Sequence, residues 1–348
     1  MNDYQKHLIH GDLSIREILQ KLEKLGSDAI LFLVDGNDRL LGSLTDGDIR
    51  RGLIRGLGLE DPILSFLQPN PRYFKRKEFT LEQMTSWREQ NYRVIPVLDD
   101  DNHIIDIINF RIQRSYLPID AVIMAGGMGQ RLRPLTLNTP KALLKVAGKP
   151  IIDYNIERLI SYGVRNYTLT IKYLGQQIRD HLGDGSSRKI QVRYYEEEEP
   201  LGTIGAIRMV EHFEHDYVLV MNSDLLTDIN FEDLYRELVE KSGDMIIATT
   251  PYQVKIPYGV IEPEGDHIKS LREKPTYTYY SNAGIYLFRK EMTEFIPPNQ
   301  HFDATDLMNV LIENGKKVLH FPILGYWLDI GRHQDFEKAQ NDIGRLRL

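Results

Sequence analysis

The run from Ala121 to Gly129, Ala-Val-Ile-Met-Ala-Gly-Gly-Met-Gly, constrains this chain more than any other: a short apolar segment of strand type delivers the backbone directly into three glycines. Glycine has no Cβ, so Gly126, Gly127 and Gly129 let the backbone approach a ligand closely and aim amide hydrogens into one concavity. Arg131 and Arg133 stand two and four residues past the last glycine, and Lys141 follows fifteen residues after Gly126. Fixed amides beside three cations suit a polyphosphate. The alternative, a glycine-rich turn with surface cations, explains the glycines but not the spacing of the charges. Two common phosphate loops do not fit: G-x-G-x-x-G is not met, Pro134 interrupts the helix that fingerprint needs, and the Walker-type spacing is missing.

Downstream of the glycines, β-type runs recur at 167–171, 191–195, 217–221 and 245–249, with helical patterns over 152–162, 175–182 and 231–241 among them. Such alternation predicts an α/β fold with a doubly wound, mostly parallel sheet, whose ligands bind at the carboxyl ends of the strands. Upstream, a different pattern is written twice over about 110 residues: helix, strand, turn, strand, helix. Ser14 to Glu17 has capping-box spacing, 29–34 and 40–44 form a candidate hairpin, and Thr45 to Asp48 heads a helix; Thr80, 94–98 and 104–108 repeat the order, and a polar helical pattern over 111–115 closes it. Pro118 marks the seam, because proline biases the residue before it away from helix. The expected organisation is an α+β pair at 1–117, split at about residue 60, followed by a single larger domain at 118–348.

With 348 residues the chain can bury two cores, and its composition is that of an ordinary globular protein. Fifty acidic against 43 basic residues give a net charge of -7, so no global basic field attracts nucleic acid or an anionic membrane, and any phosphate site must be local. No cysteine is present, which excludes disulfides and thiolate metal sites. Residues 1–15 lack a charged segment followed by a long apolar run, and no apolar stretch approaches the ~20 residues of a membrane span. A cytoplasmic enzyme or binding protein is the expectation.

The stretch from Gly126 to Val146 resembles the signature of the sugar-1-phosphate nucleotidyltransferases, close to GGxGxRLxPLTxxxPKxLxxV, with Gln130 where that family usually has Thr or Ser and Lys145 where a proline is common. The resemblance extends over residues 120–348 and implies a Rossmann-like, glycosyltransferase-A-like domain. Leu201 to Ala206 is similar to the family's LGTAGA element, which implies Gly202 against the nucleoside, with Ala125 and the loop glycines also at the nucleotide. Asp224 and Asp329, each at the end of an apolar run, are implied magnesium ligands, since Mg²⁺ takes one or two carboxylates plus substrate phosphates. Tyr258-Gly259-Val260, Glu273-Lys274-Pro275 and Asn282-Ala283-Gly284 resemble the family's YGV, EKP and NAG elements. They imply Lys274 on the sugar phosphate, and Glu273, Asn282 and the Gly259 and Gly284 backbones at sugar hydroxyls.

What the resemblance implies chemically is attack of a sugar-1-phosphate oxygen on the α-phosphorus of a nucleoside triphosphate, with pyrophosphate leaving. Alignment and charge neutralisation carry such a step, so Arg131, Lys141, Asp224 and Asp329 are the expected catalytic groups. The acidic run Glu196 to Glu199 ahead of Leu201 resembles guanylyltransferases; a carboxylate accepts the adjacent N1 and N2 donors of guanine, which makes Glu197 the candidate base reader and GTP the expected donor.

Residues 1–117 resemble a tandem pair of CBS modules, which implies a regulatory adenine nucleotide held by Thr45 and Asp48; the second module, at Ile107 to Phe110, lacks both groups. A docking platform without ligand is an equal alternative. A CBS pair ahead of this transferase resembles the glucosamine-1-phosphate guanylyltransferases of legionaminic acid biosynthesis. Mannose- or heptose-1-phosphate guanylyltransferases, or a non-catalytic nucleotide-sensing subunit, are the rival expectations, and the CBS pair implies a homo-oligomer.

Overall fold

The computed structural model describes residues 4–11, 13–75 and 80–346. Of the opening 15 residues considered above, 1–3 and 12 lie outside it. The chain forms two compact units, Met1–Tyr116 and Leu117–Leu348.

The first unit carries β1 (Leu8–Ile9), α1 (Ile15–Leu25), β2 (Leu31–Val34), β3 (Leu40–Leu44), α2 (Asp46–Ile54), β4 (Phe74–Lys75), α3 (Leu81–Glu89), β5 (Val94–Leu98) and β6 (Ile104–Asn109). Two three-stranded sheets, β1-β2-β3 and β4-β5-β6, repeat the same pattern of one parallel and one antiparallel neighbour. The capping box at Ser14 forms in both directions, satisfying backbone donors that an α-helix start leaves free. The two halves differ at their ends. The helical pattern expected over 111–115 forms no helix; Arg111 instead donates through Nε and Nη2 to Asp28 at 3.0 and 2.7 Å. That bidentate bond holds the Asp28 carboxyl below its ordinary range.

The second unit contains β7 (Ile119–Ala125), β8 (Lys145–Val146), β9 (Lys149–Pro150), α4 (Ile151–Ser161), β10 (Asn166–Ile171), α5 (Gly175–Leu182), β11 (Gln191–Glu196), β12 (Tyr217–Asn222), β13 (Leu225–Thr227), α6 (Phe231–Glu240), β14 (Met245–Lys255), β15 (Val260–Glu264), β16 (His267–Arg272), β17 (Thr276–Arg289), α7 (Ala304–Glu313), β18 (Val318–Pro322), β19 (Trp327–Asp329) and α8 (His333–Asp342). Seven strands make the central sheet in the order β11-β10-β7-β12-β17-β14-β18. Every neighbouring pair is parallel except those of β17, which runs antiparallel to β12 and β14. The chain leaves β7 toward β10 and β11 on one side and returns to β12 on the other. That reversal opens a crevice above the C-terminal end of β7, where ligands of such sheets bind.

Strands covered on both faces should read as continuous apolar runs, and Val122, Ile123, Leu169, Val220 and Leu287 are all fully buried. The expected runs at 121–125, 167–171, 191–195, 217–221 and 245–249 all fall within strands, and the three expected helices form to within about two residues. Beyond residue 249 the sequence reading stops short. Here β14 and β17 run on past the sheet as a paired ribbon, and β15 and β16 form a hairpin at its far end. Among the described residues no helix is long and apolar enough to cross a membrane.

Candidate active site

A cavity of about 680 Å³ lies at the C-terminal edge of the sheet. Its floor is the turn after β7, where Ala125, Gly126, Gly127 and Gly129 all line the space. Gly129 sits in the left-handed region at φ 60°, ψ 32°, which costs glycine nothing and a substituted residue more. The turn is closed by Thr136, whose hydroxyl donates to the Gly129 carbonyl at 2.8 Å. A Cβ at Gly129 would stand 3.3 Å from Lys141 Cβ, so this glycine permits the lysine's approach.

Lys141 brings the two distant aspartates together. Its ammonium donates to Asp224 Oδ2 and lies 3.8 Å from Asp329 Oδ1. The 105 positions between these aspartates are bridged by a short antiparallel ladder: β13 pairs with β19, Leu225 opposite Asp329, and the Ile330 amide donates to the Asp224 carbonyl at 3.1 Å. Gly331 turns the chain away just beyond. A Cβ there would be 3.7 Å from both Arg131 Nη2 and Asp329 Oδ2, so the guanidinium and the second carboxylate both border this turn.

Burial first, and then the charge of Asp224, push the Asp329 carboxyl above its ordinary range, while Lys141 and Arg131 act in the opposite sense. The family resemblance implies Mg²⁺, and the residues fit it. Asp224 Oδ1 and Asp329 Oδ1 are buried oxygens with no hydrogen-bond partner among the described residues, Asp329 Oδ1 keeping only its 3.8 Å ion pair with Lys141, and hard carboxylate oxygens are what a divalent cation requires. No cluster of three or more His, Asp or Glu at metal-binding distance occurs among the described residues, so the pair would form a partial shell completed by substrate oxygens and water.

Glu197 is 9% exposed, lines the cavity, and accepts from the Leu201 amide through Oε2 at 3.1 Å. Its Oε1 lies 3.1 Å from where a Cβ on Gly126 would be, so the acidic loop touches the glycine turn. Gly202 lines the cavity at φ 77°, and a Cβ there would meet the Phe302 carbonyl at 2.7 Å. The segment ahead of α7, where Asp303 caps the helix, does more than cap. Asp303 Oδ1 accepts from the Thr203 amide at 2.8 Å, and the Thr203 hydroxyl accepts from the Ala304 amide at 2.8 Å. This cross-strapping fixes the loop that carries Gly202. His301, Asn222, Lys172 and Thr170 also line the cavity. None was foreseen, since an isolated residue of these types in a loop or strand carries no sequence signal.

The five residues expected at the sugar are not gathered there. Gly284 comes nearest: a Cβ would stand 2.6 Å from Asn222 Nδ2. The Asn282 side chain is turned onto its own strand, donating to Tyr286 Oη at 2.9 Å and accepting from the Gly284 amide. Gly259, Glu273 and Lys274 stand outside the cavity lining, exposed on the projecting ribbon and hairpin. In the first unit Thr45 and Asp48 are turned onto each other rather than outward, as a capping box at the start of α2, and Asp48 also pairs with Arg51. That unit has its own cavity of about 410 Å³, lined by Ser43, Gln68, Arg72 and Tyr92 among others, but not by Thr45 or Asp48.

Fold and cleft together define an α/β protein that gathers a glycine turn, two cations and paired carboxylates at the C-terminal edge of a mostly parallel sheet. Residues 120–345 match the family described as Nucleotidyl transferase, and the chain belongs to that family. Residues 7–55 match the CBS domain, covering the first of the two halves in the front unit. The chain is 32% identical over 224 residues to the mannose-1-phosphate guanylyltransferase catalytic subunit beta of Danio rerio, across 62% of each chain. It is 30% identical over 233 residues to the mannose-1-phosphate guanylyltransferase of Mycobacterium tuberculosis, across 65% of each. The alignments thus span about three-fifths of these relatives' own length. Among solved structures, HddC from Yersinia pseudotuberculosis complexed with GMP-PN is similar, with a TM-score of 0.50 and 27% identity, covering 64% of this chain and 99% of that one.

Proposed function

We propose that the chain transfers a guanylyl group from GTP to a sugar 1-phosphate, giving a GDP-sugar and pyrophosphate. One observation carries this reading: the glycine turn, Arg131, Lys141, Asp224 and Asp329 converge on one cleft, although 105 residues separate the aspartates. The turn's amides and Arg131 bind the β- and γ-phosphates that leave as pyrophosphate. Lys141 sits near the reacting phosphates, and Lys274 positions the nucleophile. A phosphate oxygen of the sugar 1-phosphate forms the new bond to the α-phosphorus as the bond to the β-phosphate oxygen breaks. Asp224 and Asp329 would hold Mg²⁺, which supplies charge neutralisation at the phosphates. No protein nucleophile is needed, because alignment and electrostatics lower the barrier.

Glu197 supports the choice of guanine. A buried carboxylate at the edge of the glycine turn accepts two adjacent donors, which guanine offers and a pyrimidine such as uracil does not. The mannose-1-phosphate relatives favour mannose 1-phosphate as acceptor. Glucosamine 1-phosphate, with a role in legionaminic acid biosynthesis, is the reading that domain order suggests. The front unit is proposed as a CBS pair that takes an adenine nucleotide. The deciding experiment measures pyrophosphate release with Mg²⁺ across four nucleoside triphosphates and a panel of sugar 1-phosphates. Turnover with GTP and a sugar 1-phosphate is expected. A pyrimidine preference removes the guanylyl assignment, and the absence of any turnover removes the activity.

A further inference from the structure

Two neighbouring strands end beside the same glycine. β10 and β11 pair in parallel as far as Ile171 opposite Glu196, and the Glu197 amide donates to the Ile171 carbonyl at 3.0 Å, so Lys172 and Glu197 leave the sheet side by side. Both line the cavity. A Cβ on Gly126 would stand 3.1 Å from Glu197 Oε1 and 3.5 Å from Lys172 Cβ, so the two side chains border one point of the glycine turn. Glu197 is fixed within its loop: Oε2 accepts from the Leu201 amide at 3.1 Å, while no described residue donates to Oε1. Lys172 is half-buried next to a run of four glutamates, yet among the described residues it forms no ion pair with any of them, and Glu196 is taken by Arg179 instead. Its ammonium donates to the main-chain carbonyl of Glu198 at 2.6 Å. An ammonium has three donors, so this one bond leaves two for a molecule that enters the cleft.

We propose that Lys172 selects the base: its ammonium donates to O6 of guanine while Glu197 accepts from N1 and N2. This rests on the guanylyl reading above and supplies the partner which that reading leaves out. Along its pairing edge guanine offers one acceptor, O6, and then two donors. A carboxylate alone satisfies the donors but strips O6 of water without replacing the bond, a cost that falls on the correct base. A cation at this point removes that cost. It also rejects adenine and cytosine, which carry an amino group where guanine has its oxygen, so that donor meets donor. Uracil has an oxygen there and passes Lys172, but it brings a single ring donor to a carboxylate able to take two. Lysine thus separates oxo bases from amino bases, and glutamate separates two donors from one.

Calorimetry on the full chain with Mg²⁺ and no sugar 1-phosphate reads binding apart from turnover. The probes are GTP and 6-thio-GTP, which differ in the atom at position 6, sulfur being the poorer acceptor. Wild type should bind GTP the more tightly. Lys172→Met keeps the stem and removes the donors: GTP binding should weaken about tenfold to a hundredfold, the scale of one hydrogen bond to a charged group, while 6-thio-GTP changes less and the preference between them collapses toward one. Lys172→Arg keeps a cationic donor and should keep a preference. A lysine that only straps the loop through Glu198 acts on both probes alike, so equal weakening in Lys172→Met overturns the proposal, as does wild-type binding that does not distinguish the two. UTP separates this failure from that of the reading beneath it. Wild type that binds UTP as tightly as GTP removes guanine recognition altogether, whereas a preference for GTP over UTP with the thio ratio unmoved by Lys172→Met removes the lysine's role alone. If the thio ratio collapses as expected but no sugar 1-phosphate releases pyrophosphate, Lys172 stands as a guanine contact and the transfer activity fails.

Discussion

Two glycines with the same backbone sign but different surroundings offer a measured test of the cleft. Gly129 has φ 60° and Gly148 has φ 83°, so alanine at either pays the left-handed penalty of about 1–2 kcal/mol. At Gly148 the added methyl meets nothing within 4 Å, and that penalty is the whole effect. At Gly129 it would lie 2.8 Å from Thr136 Cγ2 and 3.3 Å from Lys141 Cβ. Thr136 is fully buried and pinned by its hydrogen bond to the Gly129 carbonyl, so it yields poorly. Overpacking of this kind adds about 1–3 kcal/mol. Gly129→Ala should therefore cost about 2–5 kcal/mol against about 1–2 for Gly148→Ala. In a unit of this size each kcal/mol lowers Tm by roughly 2–4 °C. The activity difference is larger in kind. Displacing Lys141 moves the charge between the two aspartates, and misplacements well under 1 Å should cost about tenfold in kcat, since a full 1 Å costs on the order of 100-fold. Thermal melting with steady-state pyrophosphate release, run side by side, separates the two effects. Wild-type kcat in Gly129→Ala, with a melting shift equal to that of Gly148→Ala, would refute the close approach of glycine and lysine on which the catalytic reading depends.

Other outcomes follow from single contacts. Asp224→Asn and Asp329→Asn should each lower kcat by about 10²–10³-fold, the scale of losing one preorganised electrostatic contact, while circular dichroism stays native; unchanged turnover in either would remove that residue from the site. Glu197→Gln should erode the preference for GTP over UTP about tenfold or more, because a charged acceptor becomes neutral; a selectivity ratio equal to wild type counts against guanine reading. For Asp120, burial acts to raise the carboxyl pKa, but the His215 amide at 2.9 Å and ring Nδ1 at 3.1 Å outweigh it, leaving the value lowered. A lowered folded-state pKa gives stability that is present above the unfolded value of about 3.9 and is lost as pH falls through the folded one. Urea titrations below about pH 4 should accordingly show a shallower acid decline for Asp120→Asn than for wild type, and parallel curves would contradict this.

Much of the fold was legible because it is written locally. Apolar runs such as Ala121 to Ala125 specify doubly covered strands, Ser14 with Glu17 specifies a helix start, and each lies within a few residues of its cause. The glycine turn was legible for the same reason, since Gly126, Gly127 and Gly129 are neighbours in the chain and line the cavity together. The 111–115 segment misled because its helical pattern competes with a bond 83 residues away, from Arg111 to Asp28. The strapping of Thr203 to Asp303 spans 100 residues and leaves no periodic trace.

The amino-acid order alone therefore determined the alternation of strands and helices, the seam near Pro118, and a glycine turn at the end of β7, since each depends on neighbours in the chain. Tertiary structure decided the rest. Pairing of β13 with β19 set Asp224 beside Asp329 under one lysine, and extension of β14 and β17 past the sheet left Lys274 exposed and outside the cavity lining. Both follow from strand pairing across long separations. Residue order permits such pairings, but the geometry of the folded sheet selects among them.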